Sequence, residues 1–365
     1  MKSKGENVKR IISVLLVLFI FLICSACFDV KSAKTLSEIE DENFGSYCDD
    51  LPEGIPDTAV NMLHDEKFQY GINIIQTPYG KRDMTGYLDY DGNARFVGAD
   101  SYVSRSGFNT IPANRFWSLT QWTSKMDFGD AANRNLTIDG TKYTYTNGCK
   151  TVSIDPAKGS LTLRANCGEE YDYKERSEYK RQKGEWAHLL IEQYGDGDQY
   201  KMGDVKDIYY YLDFSIDEVI KYDVSPKYPS EQRAQLVWYF GFGGPSPTPI
   251  WFGLRLFDSY ESEHISWAVG ETYSFDPGMG YPLYLAPNDE FFDAPLKIGE
   301  RYIRVMKMTD FVHYCYEMAK KSNVFGDNVK FEDFRLWNMN LGWEVPGTFD
   351  VSVTFNRIGV YYDLV

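Results

Sequence analysis

Basic residues are scarce in this sequence relative to acidic ones. The 365-residue chain has 38 Lys and Arg against 53 Asp and Glu, which gives a formal net charge of -15 at pH 7. A chain of this sign repels nucleic-acid phosphates and anionic lipid headgroups. Nucleic-acid binding is therefore excluded as a function. An anionic polysaccharide would need a local basic patch, for which residues 174–183 are the candidate.

Metal-binding patterns are also missing. The sequence has no CxxC pair and no His and Cys spacing typical of a zinc site. One stretch has side chains at the ligand spacing of a calcium loop: Asp89, Asp91, Asn93 and Asp100. Ala94 occupies the position where such a loop needs glycine, so a hairpin turn at residues 91–92 is the better interpretation. We expect no cofactor, with calcium as the alternative.

No stretch beyond the N-terminal region is apolar enough to span a membrane. Four basic residues precede an apolar run at 11–23. Its length of about 13 residues is typical of a signal peptide and short of the roughly 20 that a span needs. Residues 24–27 (Cys-Ser-Ala-Cys) resemble a bacterial lipobox. We expect residues 1–26 to be a lipoprotein signal peptide and Cys27 to anchor the chain, through a lipid, to the extracytoplasmic face of the cell membrane. The alternatives are an ordinary signal peptide and an uncleaved anchor.

Residues 27–58 are acidic and contain few large apolar side chains, which predicts a flexible tether. From residue 59 to 365, short aromatic or β-branched runs alternate with turn residues, which is typical of strands. The clearest predicted strands are residues 187–194, 208–216, 235–242, 251–257, 302–308 and 351–362. One helix is predicted near residues 310–322, capped by Thr309 or Asp310.

Many short strands with one isolated helix predict a single all-β domain of about 300 residues. Its expected form is a two-sheet β-sandwich, a jelly roll resembling the concanavalin A-like lectin and glucanase class, and we expect a monomer. Within it, residues 151–154 and 161–164 predict a hairpin centred near residue 158. Cys149 and Cys167 are equidistant from that centre, so a disulfide between them is predicted, since the extracytoplasmic compartment permits it. The alternative is a pair of small buried thiols.

The segment 186–194 is the most informative candidate site. As a strand it directs Ala187, Leu189 and Ile191 inward, and its other face carries Trp186, His188, Glu192 and Tyr194. An aromatic ring suits the apolar face of a sugar, and an imidazole or carboxylate suits acid–base chemistry. The alternative is that His188 and Glu192 form a structural network with neighbouring strands.

Further candidates lie on two other segments. Trp251 and Arg255 are predicted to share one strand face, with Asp258 on the opposite one. Trp343 is expected in a loop, either binding sugar or closing an edge of the sandwich. No ExDxxE pair of carboxylates and no GxSxG motif occur, which disfavours the usual retaining glycosidase of this fold class and a serine hydrolase.

Two resemblances bear on function. Residues 186–193, 251–258 and 342–344 resemble a group of uncharacterised bacterial secreted proteins. Residues 355–361 (Phe-Asn-Arg-Ile-Gly-Val-Tyr) are similar to the Tyr-x-Lys-x-Gly-x-Tyr strand that ends jelly-roll alginate lyases. Residues 176–178 resemble the start of the lyases' Arg-Ser/Thr-Glu-x-Arg motif, although Lys180 replaces its second Arg. His188 stands in their Gln-x-His motif, from which the Gln is absent.

The lyase resemblance implies β-elimination, with His188 and Tyr361 exchanging protons and Arg176 neutralising a uronate carboxylate. The favoured hypothesis is a surface lipoprotein that binds or processes carbohydrate, with Trp186, Trp251 and Tyr194 stacking on sugar. A polysaccharide lyase and a structural lipoprotein without a sugar ligand are the alternatives. A lyase requires its proton-transfer residues to line one cleft, so the hypothesis fails if His188 and Tyr361 lie on opposite sheets.

Overall fold

The structure is a computed structural model. It describes residues 51–68, 72–73, 102–103, 117–121, 124, 126, 128, 135–171, 187–194, 200–222, 232–246, 248–259, 272–275, 282–286 and 291–365. The predictions that lie outside these residues are the signal peptide at 1–26, the lipidated Cys27, the basic patch at 174–183 with Arg176, Trp186 and the calcium-like loop at 89–100.

The strands and helices within these ranges are β1 (Ala59–Asn61), β2 (Ile72–Asn73), β3 (Tyr102–Val103), β4 (Trp117–Thr120), β5 (Asn135–Asp139), β6 (Lys142–Thr146), β7 (Lys150–Asp155), β8 (Ser160–Asn166), α1 (Cys167–Tyr171), β9 (Ala187–Tyr194), β10 (Val205–Lys221), β11 (Gln235–Gly243), β12 (Ile250–Asp258), β13 (Thr272–Phe275), β14 (Pro282–Ala286), β15 (Arg301–Lys307), α2 (Thr309–Lys321), β16 (Arg335–Val345) and β17 (Phe349–Leu364). Short 3-10 turns lie at Met202–Asp204 and Phe331–Asp333.

These strands form two sheets. Sheet A has eight strands in the order β15-β10-β17-β8-β7-β6-β5, with β1 also paired to β17. Sheet B has nine strands in the order β13-β14-β12-β11-β16-β9-β4-β2-β3. From β8 to β11, and again from β14 to β17, successive strands alternate between the sheets, as in a jelly roll. The predicted two-sheet β-sandwich is confirmed.

The core lies between the two inner faces. Alternate residues of β10, from Ile208 to Ile216, join one apolar cluster with alternate residues of β11, from Leu236 to Phe242. The rings of Tyr210 in sheet A and Phe240 in sheet B stack with their centroids 3.9 Å apart. Because side chains in a strand point alternately to its two faces, the intervening residues of β11 lie on the outer face of sheet B.

Helix α2 covers part of this core. Val312, Cys315, Tyr316 and Ala319 are buried on one side of the helix, which confirms the predicted helix and its amphipathic pattern. The predicted cap is wrong, because Met308 occupies the cap position. The Thr309 hydroxyl instead accepts the backbone N–H of Ile208 at 2.9 Å. Neither described helix is long and apolar enough to cross a membrane.

Part of the segment expected to be a tether packs against the domain. Ile55 is buried in a small cluster with Tyr211 and Tyr361 on the outer face of sheet A. The Thr58 hydroxyl donates to Asp363 Oδ1 at 2.7 Å. The folded unit therefore begins before the predicted residue 59.

The predicted disulfide is wrong, because Cys149 and Cys167 remain thiols. The predicted hairpin forms, but Lys150 pairs with Ala165, and the N–H of Asn166 bonds to the carbonyl oxygen of Cys149. The register therefore aligns Cys149 with residue 166 rather than 167. A shift of one residue directs side chains to opposite faces of a sheet. Burial raises the pKa of the Cys167 thiol.

Glycine is required at one position of the central strand β16. Gly342 has φ +151°, and a Cβ there would lie 2.4 Å from the Leu189 carbonyl oxygen. We predict that Gly342→Ala lowers the free energy of unfolding by about 3 kcal/mol or more. Gly140 also has positive φ but has nothing within 4 Å of its Cβ position. Gly140→Ala should therefore cost about 1–2 kcal/mol. Urea denaturation followed by tryptophan fluorescence measures the free energy of unfolding of both variants. Equal losses would contradict the close approach of Gly342 to the Leu189 backbone.

Candidate functional site

The outer face of sheet B collects polar side chains from four neighbouring strands. In β9, Ala187, Leu189 and Ile191 belong to the core, so His188 and Glu192 point to the outer face. Tyr194 lies in the same strand opposite Asn338. The arrangement agrees with the alternation expected for this segment.

Strand pairing aligns four of these residues in one row across the sheet. His188 pairs with Glu344, Glu344 pairs with Gln235, and Gln235 pairs with Asp258. We call this set the charged row. His188 Nε2 lies 3.7 Å from Glu344 Oε1, and Gln235 Nε2 donates to Asp258 Oδ2 at 2.7 Å. The row therefore places two carboxylates on one face, with one strand between them.

Asp258 reaches this face because of a β-bulge. Phe257 pairs with Leu236 and Arg255 with Val237, so Leu256 is an extra residue in β12. The bulge shifts the alternation by one residue and returns Asp258 to the face that carries Arg255. Arg255 Nη1 lies 3.6 Å from Asp258 Oδ2, and Arg233 Nη1 lies equally close. The prediction that Asp258 lies on the opposite face is therefore wrong.

A second row lies further along the strands. Asn340 pairs with both Tyr239 and Glu192, and we call these three residues the polar row. Asn340 is 0% exposed, and neither atom of its side-chain amide has a hydrogen-bond partner. A buried, unbonded polar atom costs about 1–3 kcal/mol. In native folds such groups are completed by an ordered water, an ion or a ligand, or belong to a strained or catalytic site.

The third row is aromatic. Gly241 pairs with both Trp251 and Asn338, and a bulge beside this row leaves Trp337 as the extra residue of β16. A Cβ on Gly241 would lie 3.2 Å from Trp337 Cε3, so this ring lies over the glycine on the outer face. Trp337 is 40% exposed. Asn338 Oδ1 and Trp251 Nε1 are buried and have no hydrogen-bond partner. Trp251, Trp337 and Asn338 are the aromatic row.

Tyr361 lies elsewhere, in β17 of sheet A, so it shares no face with His188. Its hydroxyl donates to Glu66 Oε2 at 2.6 Å and accepts from Arg357 Nη2 at 3.2 Å. Burial, together with the carboxylate of Glu66, raises the pKa of Tyr361 far above its usual value. The phenol therefore stays protonated in a structural network, and the lyase hypothesis with Tyr361 and His188 in one cleft is wrong.

Trp343 is not a surface residue. It lies within β16, belongs to the core and contacts Phe257 edge-on with ring centroids 6.2 Å apart. The expected loop is therefore a strand. The sequence contained a sufficient signal, because Asn338, Asn340, Gly342 and Glu344 alternate with apolar residues from Met339 to Val345. Recognising that alternation would have placed Asn340 and Glu344 on the outer face.

No group of three His, Cys, Asp or Glu side chains able to hold a metal ion occurs among the described residues. The charged row also has limited access to solvent, since the side chains of Glu344 and Arg255 are 15% and 20% exposed. The groups that the charged row offers are two carboxylates, one amide and one imidazole.

No protein-family model matches the sequence, and no curated protein is significantly similar to it. Among solved structures, the endoglucanase Cel12A from Rhodothermus marinus is 9% identical, over 68% of this chain and 99% of that chain, at a TM-score of 0.34. The native family 12 xyloglucanase from Bacillus licheniformis is 10% identical, over 66% and 98% of the two chains, at a TM-score of 0.34. The xyloglucanase domain of NopAA from Sinorhizobium fredii, solved with cellobiose, is 8% identical over 62% and 95%, at a TM-score of 0.33. These values are too low to assign the chain to a family.

The reassignment of Tyr361 is testable. We predict that Tyr361→Phe lowers the free energy of unfolding by about 1–3 kcal/mol, because the partly buried Glu66 carboxylate loses one of its donors. Binding to polysaccharides should be unchanged. Tyr302→Phe, which removes a hydroxyl in an exposed setting, should change stability much less. Thermal unfolding and affinity-gel retention are measured on both variants. Lost binding or activity at unchanged stability would return Tyr361 to a functional role.

Proposed function

We propose that this chain binds a carbohydrate on the outer face of sheet B. The proposal is carried by the ring of Trp337, which is 40% exposed on this face, together with the nearby side-chain amide of Asn340, which is 0% exposed and has both atoms unbonded. A sugar hydroxyl donates and accepts hydrogen bonds at once. An amide, which offers one group of each kind, matches it. The neighbouring Glu192 carboxylate adds acceptors.

Unbonded polar atoms also occur in the core, on Tyr210, Tyr362 and Trp238. Those side chains bring large apolar rings whose burial compensates for one unbonded group. Asn340 has no such ring, so its burial offers little apolar gain. Its position on the outer face is therefore better explained by a polar ligand than by packing.

The aromatic row supplies the second element of sugar recognition. The exposed ring of Trp337 beside Trp251 suits stacking on the apolar face of a pyranose. From Asn338 to Glu344 the strand rises about 20 Å, at about 3.4 Å per residue. A ligand that contacts the aromatic, polar and charged rows together is therefore an oligosaccharide or polysaccharide rather than a single sugar.

The net charge of -15 favours a neutral glycan over a uronate-rich one. The signal-like N-terminus and Cys27 fit a protein tethered by a lipid outside the cytoplasm, where polysaccharides are the accessible ligands. In this proposal the chain is a surface lipoprotein that binds glycans.

Hydrolysis of the glycan is a second candidate function, favoured by the charged row. Asp258 and Glu344 lie two strands apart in one register row, which separates their Cα atoms by about 9.6 Å. Inverting glycosidases hold their two carboxyl groups about 6.5–9.5 Å apart, a separation that these side chains can reach from Cα atoms spaced in this way. Asp258 between Arg233 and Arg255 suits a carboxylate base that activates water. Glu344, the other carboxyl group of the row, would be the acid that protonates the leaving oxygen.

Binding is tested with two variants and a matched control. We predict that Asn340→Ala and Trp337→Ala each weaken retention on the cognate glycan gel by about tenfold or more, which corresponds to about 1.4 kcal/mol. Ile303→Ala removes a comparably exposed apolar side chain from sheet A and should leave retention unchanged. Circular dichroism establishes that each variant is folded. Unchanged retention by both folded outer-face variants would contradict the proposed site.

Hydrolysis is tested by release of reducing ends from neutral polysaccharides. We predict that Glu344→Gln lowers the rate about 100-fold or more, the usual loss on removing a general acid. Glu332→Gln, in the 3-10 turn at Phe331–Asp333, is the control and should keep the wild-type rate. If the wild-type chain binds the polysaccharide but releases no reducing ends, the hydrolysis hypothesis is wrong and the chain is a binding protein.

A further inference from the structure

A lysine and a glutamate are buried together at one end of strands β7 and β8 of sheet A. Lys150 begins β7 and Glu170 lies in α1. Lys150 Nζ is 2.5 Å from Glu170 Oε2, and the two side chains are 0% and 1% exposed. Lys150 is among the largest fully buried side chains of the described chain.

Backbone pairing and hydrogen bonds fix the positions of the two reacting groups. The N–H of Lys150 donates to Asn147 Oδ1 at 2.8 Å, and the residue pairs with Ala165 of β8. Glu170 belongs to a helix that directly follows β8. Two groups fixed in contact in this way react as if at very high concentration, about 10⁵ M or more in favourable intramolecular cases.

Burial also disfavours the charged form of the pair. Removing an ammonium and a carboxylate from water carries a large desolvation penalty, which a close ion pair offsets only in part. Transfer of one proton from Nζ to Oε2 gives an amine and a carboxylic acid. These are the two reactants of an amide bond, and water is scarce in a site with almost no exposed surface.

We propose that Lys150 and Glu170 become joined by an intramolecular isopeptide bond in the folded protein. The Nζ–Cδ bond forms and the Cδ–Oε2 bond breaks. Oε2 leaves as water, carrying the carboxylic acid proton and one proton from the amine. Nothing is oxidised or reduced, so no co-reactant is required.

Met126 already forms hydrogen bonds with the two atoms, Nζ and Oε1, that would remain in the amide product. Lys150 Nζ donates to the carbonyl oxygen of Met126, and the N–H of Met126 donates to Glu170 Oε1 at 3.0 Å. After condensation, the amide N–H and the remaining carbonyl oxygen retain these two partners. The bond would join the two ends of the β7–β8 hairpin, at positions close to those of the disulfide expected between Cys149 and Cys167. Unlike a disulfide, it would resist reductants.

The test is mass spectrometry of the full chain, folded first and then denatured, reduced and digested with trypsin. The expected result is a cross-linked product of residues 143–158, which trypsin no longer cleaves after the acylated Lys150, and residues 165–174. Its mass should be lower by one water than the sum of those two peptides. Lys150→Arg keeps the charge but cannot form the bond, so its peptides should be recovered separately.

Two results would overturn the proposal. Separate, unmodified peptides from the wild-type chain would make the pair a buried salt bridge. A product lower by one ammonia, joining Lys150 to Asn147, would place the bond on the wrong partner. The wild-type measurement decides between them even if Lys150→Arg fails to fold.

Discussion

Two β-bulges in sheet B decide which side chains share its outer face. In a regular strand, alternation would send Asp258 to the side opposite Arg255, and Trp337 would have a partner in register. The extra residue in β12 returns Asp258 to the outer face, and the extra residue in β16 leaves Trp337 over Gly241. The charged row and the aromatic row both depend on these shifts. Bulges are known to redirect side chains next to binding and active sites.

The two outer faces of the sandwich differ in how their polar groups are bonded. On sheet A, Arg301 forms a bidentate ion pair with Asp213, and Arg164 forms another with Asp350. The segment before β1 packs on the same face through Ile55. On sheet B, the buried amide of Asn340 is unbonded at the centre of the face. This difference directs the search for a ligand to sheet B.

The sequence predicted the strands better than their partners. Alternating apolar residues located β9 with its observed bounds and placed His188 and Glu192 on one face. The register between strands could not be predicted in the same way, because it is set by pairing between distant segments and by bulges that leave no fixed sequence signal. The one-residue error in the β7–β8 hairpin removed the expected disulfide of Cys149 and Cys167. Trp343 is a different case, because the alternation that predicts β16 is present in the sequence from Asn338 to Val345.

The central claim is that a glycan binds along the outer face of sheet B. The most direct measurement is a crystal structure of the chain with the oligosaccharide that it retains most strongly. We expect a sugar ring stacked on Trp337, with hydroxyls bonded to the side-chain amide of Asn340. A sugar bound on sheet A, or a chain that retains no carbohydrate at all, would contradict it.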